Sequence, residues 1–305
     1  MPHVTHRLVL LLSIVILRVG TATAQDARFD WSNARQLYPG IRYARVEAQE
    51  PRKMIIHAAQ IDHAAPGLKL HVTPRRAAWE SGKAETDRQT TRDFLRAARQ
   101  RGVPMVLAVN ADAFSPWPAP WDQSTPTDLL GLAVADGVRV SRAAGTPSLL
   151  LTKSGRVQIE STPPDFDDSQ IEAAVSGFAL CLDEGRPLPG GDDLHPRTGI
   201  GLSADGRYLL LVVIDGRQPN SLGATTPELG RWLLQFGAWR GINMDGGGSS
   251  TLAWWNPAAE EDERCELLNR PVGNGVRADR FPPALFLPSE RANGNNLGVS
   301  LAAPP

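Results

Sequence analysis

The chain has very little cysteine: Cys181 and Cys265 are the only two in 305 residues. Two thiols cannot build a disulfide scaffold, and no CxxC, HExxH or His/Cys cluster at zinc-ligand spacing occurs. His57, His63, His71 and His195 fall singly, without metal spacing, and read as ordinary strand or loop histidines. An excess of positive charge is also missing, since 32 basic residues face 33 acidic ones for a net charge of -1. A nucleic-acid binder held by bulk positive charge is therefore excluded. Long apolar runs are absent after the first twenty residues, so no later segment is expected to span a membrane.

What is present begins with LVLLLSIVIL, Leu8 to Leu17, preceded by Arg7 and followed by Ala22-Thr23-Ala24. A charged start, a short apolar core and a small-residue exit describe a secretory signal peptide, expected over residues 1–24. The run is too short for a hydrocarbon layer of roughly 30 Å. The expectation is a secreted or periplasmic protein with cleavage near Ala24. Without Arg7 and Arg18 the balance is 30 basic to 33 acidic residues, or -3. In an exported chain the two cysteines are free to pair or to stay apart as buried thiols, and the sequence leaves both open.

About 280 residues follow the leader, in a chain that is 42% hydrophobic and shows no convincing linker. One compact domain is expected over 54–288, after an N-terminal arm at 25–53 and before a low-order tail at 289–305. Met54–Asp62 and Leu68–Pro74 flank a Pro-Gly turn and read as a hairpin. TTRDFLRAARQRG carries Phe94, Leu95 and Ala98 at helical spacing with Gly102 as a stop, and Val103–Asn110 is a buried strand. A Pro- and Trp-rich irregular stretch follows from Ala111 to Asp128, in which Trp117 and Trp121 are candidates for sugar stacking or for packing. Further hairpins turn at Asp136-Gly137, Ser154-Gly155, Glu184-Gly185 and Asp205-Gly206. Thr226 as N-cap and Pro227 in the first turn open a second helix with Leu229, Trp232, Leu233 and Phe236 as its stripe. Pro282–Pro288 is expected as the last strand. The fold class is mixed α/β, of the α+β kind: a β-sheet core with a few packing helices.

Strands end in polar clusters at Asn110-Ala-Asp112, Asp215-Gly-Arg217 and Asn243-Met-Asp245-Gly-Gly-Gly248, and Arg197-Thr198 opens another. Strand ends converging on one crevice make a common site. Asp215 and Asp245 are the candidate acid/base pair, and Arg197 and Arg217 candidate phosphate ligands. Gly246, Gly247 and Gly248 allow a nest of inward N–H groups, with Ser249 and Ser250 as hydroxyl donors. No lysine follows the glycines as a Walker loop requires, and GGGSS lacks the closing glycine of a G-x-S-x-G elbow.

With these clusters in order, the chain resembles the phosphodiester glycosidase family. The resemblance rests on AVNADAF (Ala108 to Phe114), RTGIG, IDGR, the PELGRWLLQFGA helix, INMDGGGSSTLAW and NRPVGNGVR (Asn269 to Arg277), and spans Met54 to Leu287. It implies hydrolysis of a sugar 1-phosphodiester at its glycosidic bond. The implied catalytic residues are Asp245, Asp215 and Arg197. The implied substrate-binding residues are Asn110, Asp112, Thr198, Arg217, Asn243, Gly246, Gly247, Gly248, Ser249, Ser250, Asn269 and Arg270, and Thr251 also matches the family motif. The family usually carries a glycine pair after the asparagine, where this chain has Ala111-Asp112. Asp112 adds a third acid, which admits a divalent cation such as calcium or magnesium, although the sequence requires no cofactor. The competing readings are a non-catalytic carbohydrate or cell-envelope glycan-binding protein on the same fold, and a glycosidase acting on neutral glycans. Oligomeric state is not readable.

Overall fold

The computed structural model describes residues 28–77, 79–116, 123–273 and 289–302. The expected signal peptide, Trp117 and Trp121, and the expected strand at Pro282–Pro288 lie outside the described residues.

An eight-stranded sheet forms one wall. Across it run Arg35–Tyr38, Ile41–Ala48, Met54–Asp62, Tyr208–Ile214, Arg197–Leu202, Arg240–Asn243, Ala179–Asp183 and Arg186–Pro187, every neighbour antiparallel. A five-stranded sheet shares its core, in the order Cys265–Leu267, Leu252–Trp255, Met105–Asn110, Asn296–Leu301 and Leu68–Val72. A second five-stranded sheet carries the two hairpins that turn at Asp136-Gly137 and Ser154-Gly155 together with the strand Ile171–Ser176, and a three-stranded patch joins Thr86–Asp87, Pro126–Leu129 and Phe114–Ser115.

Strand periodicity decides what lies between the walls. In Tyr208–Ile214, Leu209, Leu211 and Val213 enter the shared core, while Leu210, Val212 and Ile214 turn to the outer face. Both faces are covered, which is why the run is apolar at every position. The outer face is capped by helix α2 (Thr226–Gln235) through Leu229 and Leu233, with Trp31 and Phe236 beside them. On the far side, helix α1 (Thr91–Gln100) sets Phe94, Leu95 and Ala98 against Met105, Ala108 and Ala253. The order is helix, sheet, core, sheet, helix.

Strand dominates the described residues, with only these two α-helices. The molecule is thus closer to all-β than to a mixed α+β class, while the expected β-sheet core with a few packing helices is what is found. Met54–Asp62 and Leu68–Val72 do not pair with each other: the chain crosses between sheets at His63–Gly67, and each strand finds other partners. The supposed arm contains Ile41–Ala48, whose Ile41, Tyr43 and Val46 are buried. The supposed low-order tail contains Asn296–Leu301, a buried strand inserted beside Met105–Asn110. Its Gly298 leaves room for Met105 and Phe94, so the apolar signal that would have marked the strand sits on its neighbours. The N-cap of α2 is Thr225, one residue before the expected Thr226, closing a capping box with Glu228. Cys181 and Cys265 are free and buried in separate clusters on opposite outer faces.

Candidate active site

The polar strand ends meet where the two sheets come together. Asn110, at the end of its strand and fully buried, is the joint. Its Nδ2 donates to the Asp245 carbonyl at 2.7 Å, and its Oδ1 accepts from Thr198 Oγ1 at 2.8 Å and Thr251 N–H at 3.1 Å. One side chain thereby fixes the start of the Arg197–Leu202 strand and both ends of the glycine-rich segment.

Asp245 is 6% exposed. Its Oδ1 accepts the Gly246 N–H at 2.9 Å, whereas Oδ2 is buried without a hydrogen-bond partner. Burial is the largest influence and pushes this carboxyl up to about 6, against the opposing pull of the Ser249 hydroxyl, the Arg291 charge and the Gly246 N–H. Asn243 Oδ1, Ser250 Oγ and Thr251 Oγ1 are likewise buried and unpartnered, and Ser249 Oγ has no partner besides its long contact to Asp245. Most buried polar atoms in folded proteins are satisfied, so orphans gathered on the one segment from Asn243 to Thr251 mark it as the candidate ligand site.

Two of the three glycine amides expected in a nest are spent on the protein itself. Gly246 N–H serves Asp245, Gly247 N–H donates to Pro196 O, and the Ser249 and Ser250 amides close a 3-10 turn on Gly246 and Gly247. Their missing side chains instead admit arginines. A Cβ on Gly247 would lie 3.1 Å from Arg217 Nη2, and one on Gly248 would lie 2.5 Å from Arg291 Nη2. Arg217 holds φ at +58°, a left-handed conformation unusual for a side-chain-bearing residue, and reaches His195 Nδ1 at 3.3 Å. Burial draws the guanidinium of Arg217 below its usual range and that of Arg291 down to about 10, the latter also lowered by Arg217 and Arg88. Both stay cationic at neutral pH.

Arg197 is placed differently. Its Nε donates to Ala224 O at 2.9 Å and its Nη2 to Asp193 O at 2.8 Å, so it ties together the loops that carry those two carbonyls. Asp215 also lacks a free oxygen. Oδ1 accepts from Asn269 Nδ2 and Arg270 N–H, each at 3.1 Å, and Oδ2 faces His57 Nε2 at 3.3 Å. Asn269 ties this acid to the glycine turn through Ser250 O at 3.0 Å. Arg270 contributes its backbone here, donating to Asp215 and accepting from Gln218.

Asp112 does not join the cluster. It is fully buried, with Oδ1 accepting Ser176 N–H at 3.0 Å and Oδ2 accepting Asn295 Nδ2 at 2.8 Å. Its carboxyl is raised well above the ordinary range by burial. The expected third acid is a structural tie, and among the described residues no group of three or more His, Cys, Asp or Glu is placed to hold a metal ion.

Two participants escaped the sequence reading. Arg291 lies past the matched motifs, in the supposed tail, with no periodic context. His57 occupies an inward position of an alternating strand, and nothing local shows that it faces Asp215.

Fold and site define a sheet sandwich that holds the buried carboxyl of Asp245 beside a glycine turn against which Arg217 and Arg291 pack. The family model for phosphodiester glycosidases matches residues 104–278, and the chain belongs to that family. No curated protein sequence matches. The catalytic domain of zebrafish N-acetylglucosamine-1-phosphodiester alpha-N-acetylglucosaminidase, auto-inhibited by its pro-peptide, superposes with a TM-score of 0.61 at 18% identity, covering 90% of this chain and 87% of its own. A hypothetical protein from Synechocystis gives 0.53 at 14% identity over 86% of this chain and 62% of its own. A candidate exported protein from Burkholderia pseudomallei gives 0.52 at 17% identity over 83% and 75%.

Proposed function

We propose that this protein is an exported hydrolase that cleaves the glycosidic bond of a sugar-1-phosphodiester, releasing free sugar and leaving a phosphomonoester. The observation that carries this reading is Asp245: a buried carboxylate with one unpartnered oxygen, beside a turn whose glycines admit two guanidiniums.

In this reading Arg217 and Arg291 hold the phosphate, and the hydroxyls of Ser249, Ser250 and Thr251 together with Asn243 meet the sugar or the attacking water. The leaving group becomes a phosphomonoester with a second ionisation near pH 6, so it departs without a strong acid. The remaining need is to stabilise an oxocarbenium-like sugar and to activate water. Asp245 in its ionised form takes the proton from water as the water oxygen bonds to the anomeric carbon. The bond from that carbon to the phosphate oxygen breaks, and its electron pair leaves with the phosphate. Arginine neutralisation of the departing charge is strongest in a site closed to water.

The test is free-sugar release from UDP-N-acetylglucosamine and a simple sugar-1-phosphodiester, set beside a neutral glycoside of the same sugar. Release from the phosphodiesters alone is expected. Binding without release would support a glycan-binding protein, and equal cleavage of the neutral glycoside would remove the phosphate role of the arginines.

A further inference from the structure

We infer that Tyr43, His57 and Asp215 form a buried hydrogen-bonded chain that positions the glycine turn for turnover, and that Asp215 is an anchor rather than the acid or base. This rests on the hydrolase reading above.

The first link is short, the second longer, and both are enclosed. Tyr43 Oη lies 2.8 Å from His57 Nδ1, and His57 Nε2 lies 3.3 Å from Asp215 Oδ2. Tyr43 is 9% exposed, and His57 and Asp215 are each 3% exposed. The carboxylate can only accept, so Nε2 carries a proton toward Asp215, while Nδ1 meets the Tyr43 hydroxyl, which also lies 3.3 Å from Leu268 O. The strands hold this order: His57 is paired in register with Val213 on one side and Arg45 on the other, inside the eight-stranded sheet.

The chain ends at the glycine turn. Asn269 Nδ2 bonds both Asp215 Oδ1, at 3.1 Å, and Ser250 O, at 3.0 Å, while its Oδ1 accepts Leu252 N–H at 2.8 Å. Asp215 therefore determines the rotamer of Asn269, and Asn269 straps the segment from Ser250 to Leu252. Ser250 and Thr251 carry two of the orphaned hydroxyls on the segment that begins at Asp245. Asp215 itself is ringed by donors: Asn269, the Arg270 amide and His57. Both of its oxygens are engaged by protein groups, whereas Asp245 has Oδ2 outside any hydrogen bond. Asp215 can orient, and that is the role assigned to it. His57 is a positioning residue, because it reaches the site only through Asp215.

The experiment compares wild type, His57→Gln, His57→Leu and Tyr43→Phe for kcat and KM on a sugar-1-phosphodiester, with thermal melting measured on each. Gln keeps an N–H where Nε2–H stood, whereas Leu removes it. Misplacing a reacting group by even 1 Å can cost about 100-fold in rate. His57→Leu is therefore expected to lose kcat by roughly 10- to 100-fold with KM changed by less than about threefold, and His57→Gln to stay within about threefold of wild type. Should His57→Leu fail to fold, Tyr43→Phe against His57→Gln keeps the comparison, with a kcat loss expected for the first. Wild-type kcat in His57→Leu would overturn the inference, as would equal losses in the Gln and Leu variants. An inactive wild type would instead overturn the hydrolase reading on which the inference rests.

Discussion

At the scale of single residues, Asp245 connects activity to stability. A carboxyl raised from 3.8 to about 6 keeps its proton in the folded state over a range where the unfolded chain has released it. Stability therefore falls as pH rises from about 4 to about 6, and the full cost stands above about 6. A shift of this size corresponds to at most about 3 kcal/mol. Asp245→Asn should abolish turnover yet melt no lower than wild type at neutral pH, with any gain vanishing near pH 4. Calorimetry of both proteins across that pH range checks the sign. The base role gives a second pH dependence: kcat/KM should be level above about 6 and fall about tenfold per unit below it. Asp112 behaves in the opposite way to a site residue. Asp112→Ala leaves the Ser176 amide and Asn295 without their acceptor, at a cost of about 1–3 kcal/mol for each buried group.

At the scale of elements, legibility varied with how local the determining contacts are. Asn110 and Asp245 were readable because a buried strand that stops at a polar residue is a local pattern. Asp112 was misread for the same reason: it is two residues from Asn110, but its partners come from Ser176 and Asn295, far along the chain. His57 and Arg291 carried no local mark, since each acquires its role from the register of distant strands or from a turn it does not belong to. The glycine turn was recognised as functional, but its physical reason was not. Backbone freedom matters at Gly247, where φ is +63°, while at Gly248 the requirement is space for Arg291. Gly248→Ala should displace that guanidinium and raise KM for a phosphodiester by about tenfold with a smaller effect on kcat, as steady-state kinetics would show. A neutral glycoside should report no such change. The capping box of α2 makes a separate stability prediction. Thr225→Ala should cost about 1 kcal/mol in denaturant unfolding, with kinetics unaltered, because the helix packs on the face away from the shared core.

At the scale of the whole molecule, the sandwich exists to bring strand ends from two sheets to one place. The eight-stranded sheet supplies Asp215, Arg217 and Asp245, and the facing sheet supplies Asn110 and the Leu252–Trp255 strand that leaves the glycine turn. The chain's last described strand, Asn296–Leu301, lies between Met105–Asn110 and Leu68–Val72, and Arg291 arrives just ahead of it. Deletion from residue 289 onward should therefore abolish folding rather than trim a tail, which circular dichroism and proteolysis would register. The period-2 and period-3.6 patterns made most strands and both helices legible. They could not assign strands to sheets, since pairing between segments more than a hundred residues apart leaves no mark in either segment alone.

The most direct test of the central claim is hydrolysis of a sugar-1-phosphodiester in water enriched in oxygen-18, with wild type and Asp245→Asn side by side. Cleavage at the glycosidic bond predicts that the label enters the anomeric hydroxyl of the free sugar, and that the folded Asp245→Asn protein releases none. Label appearing in the phosphate, or wild-type release by Asp245→Asn, would contradict it.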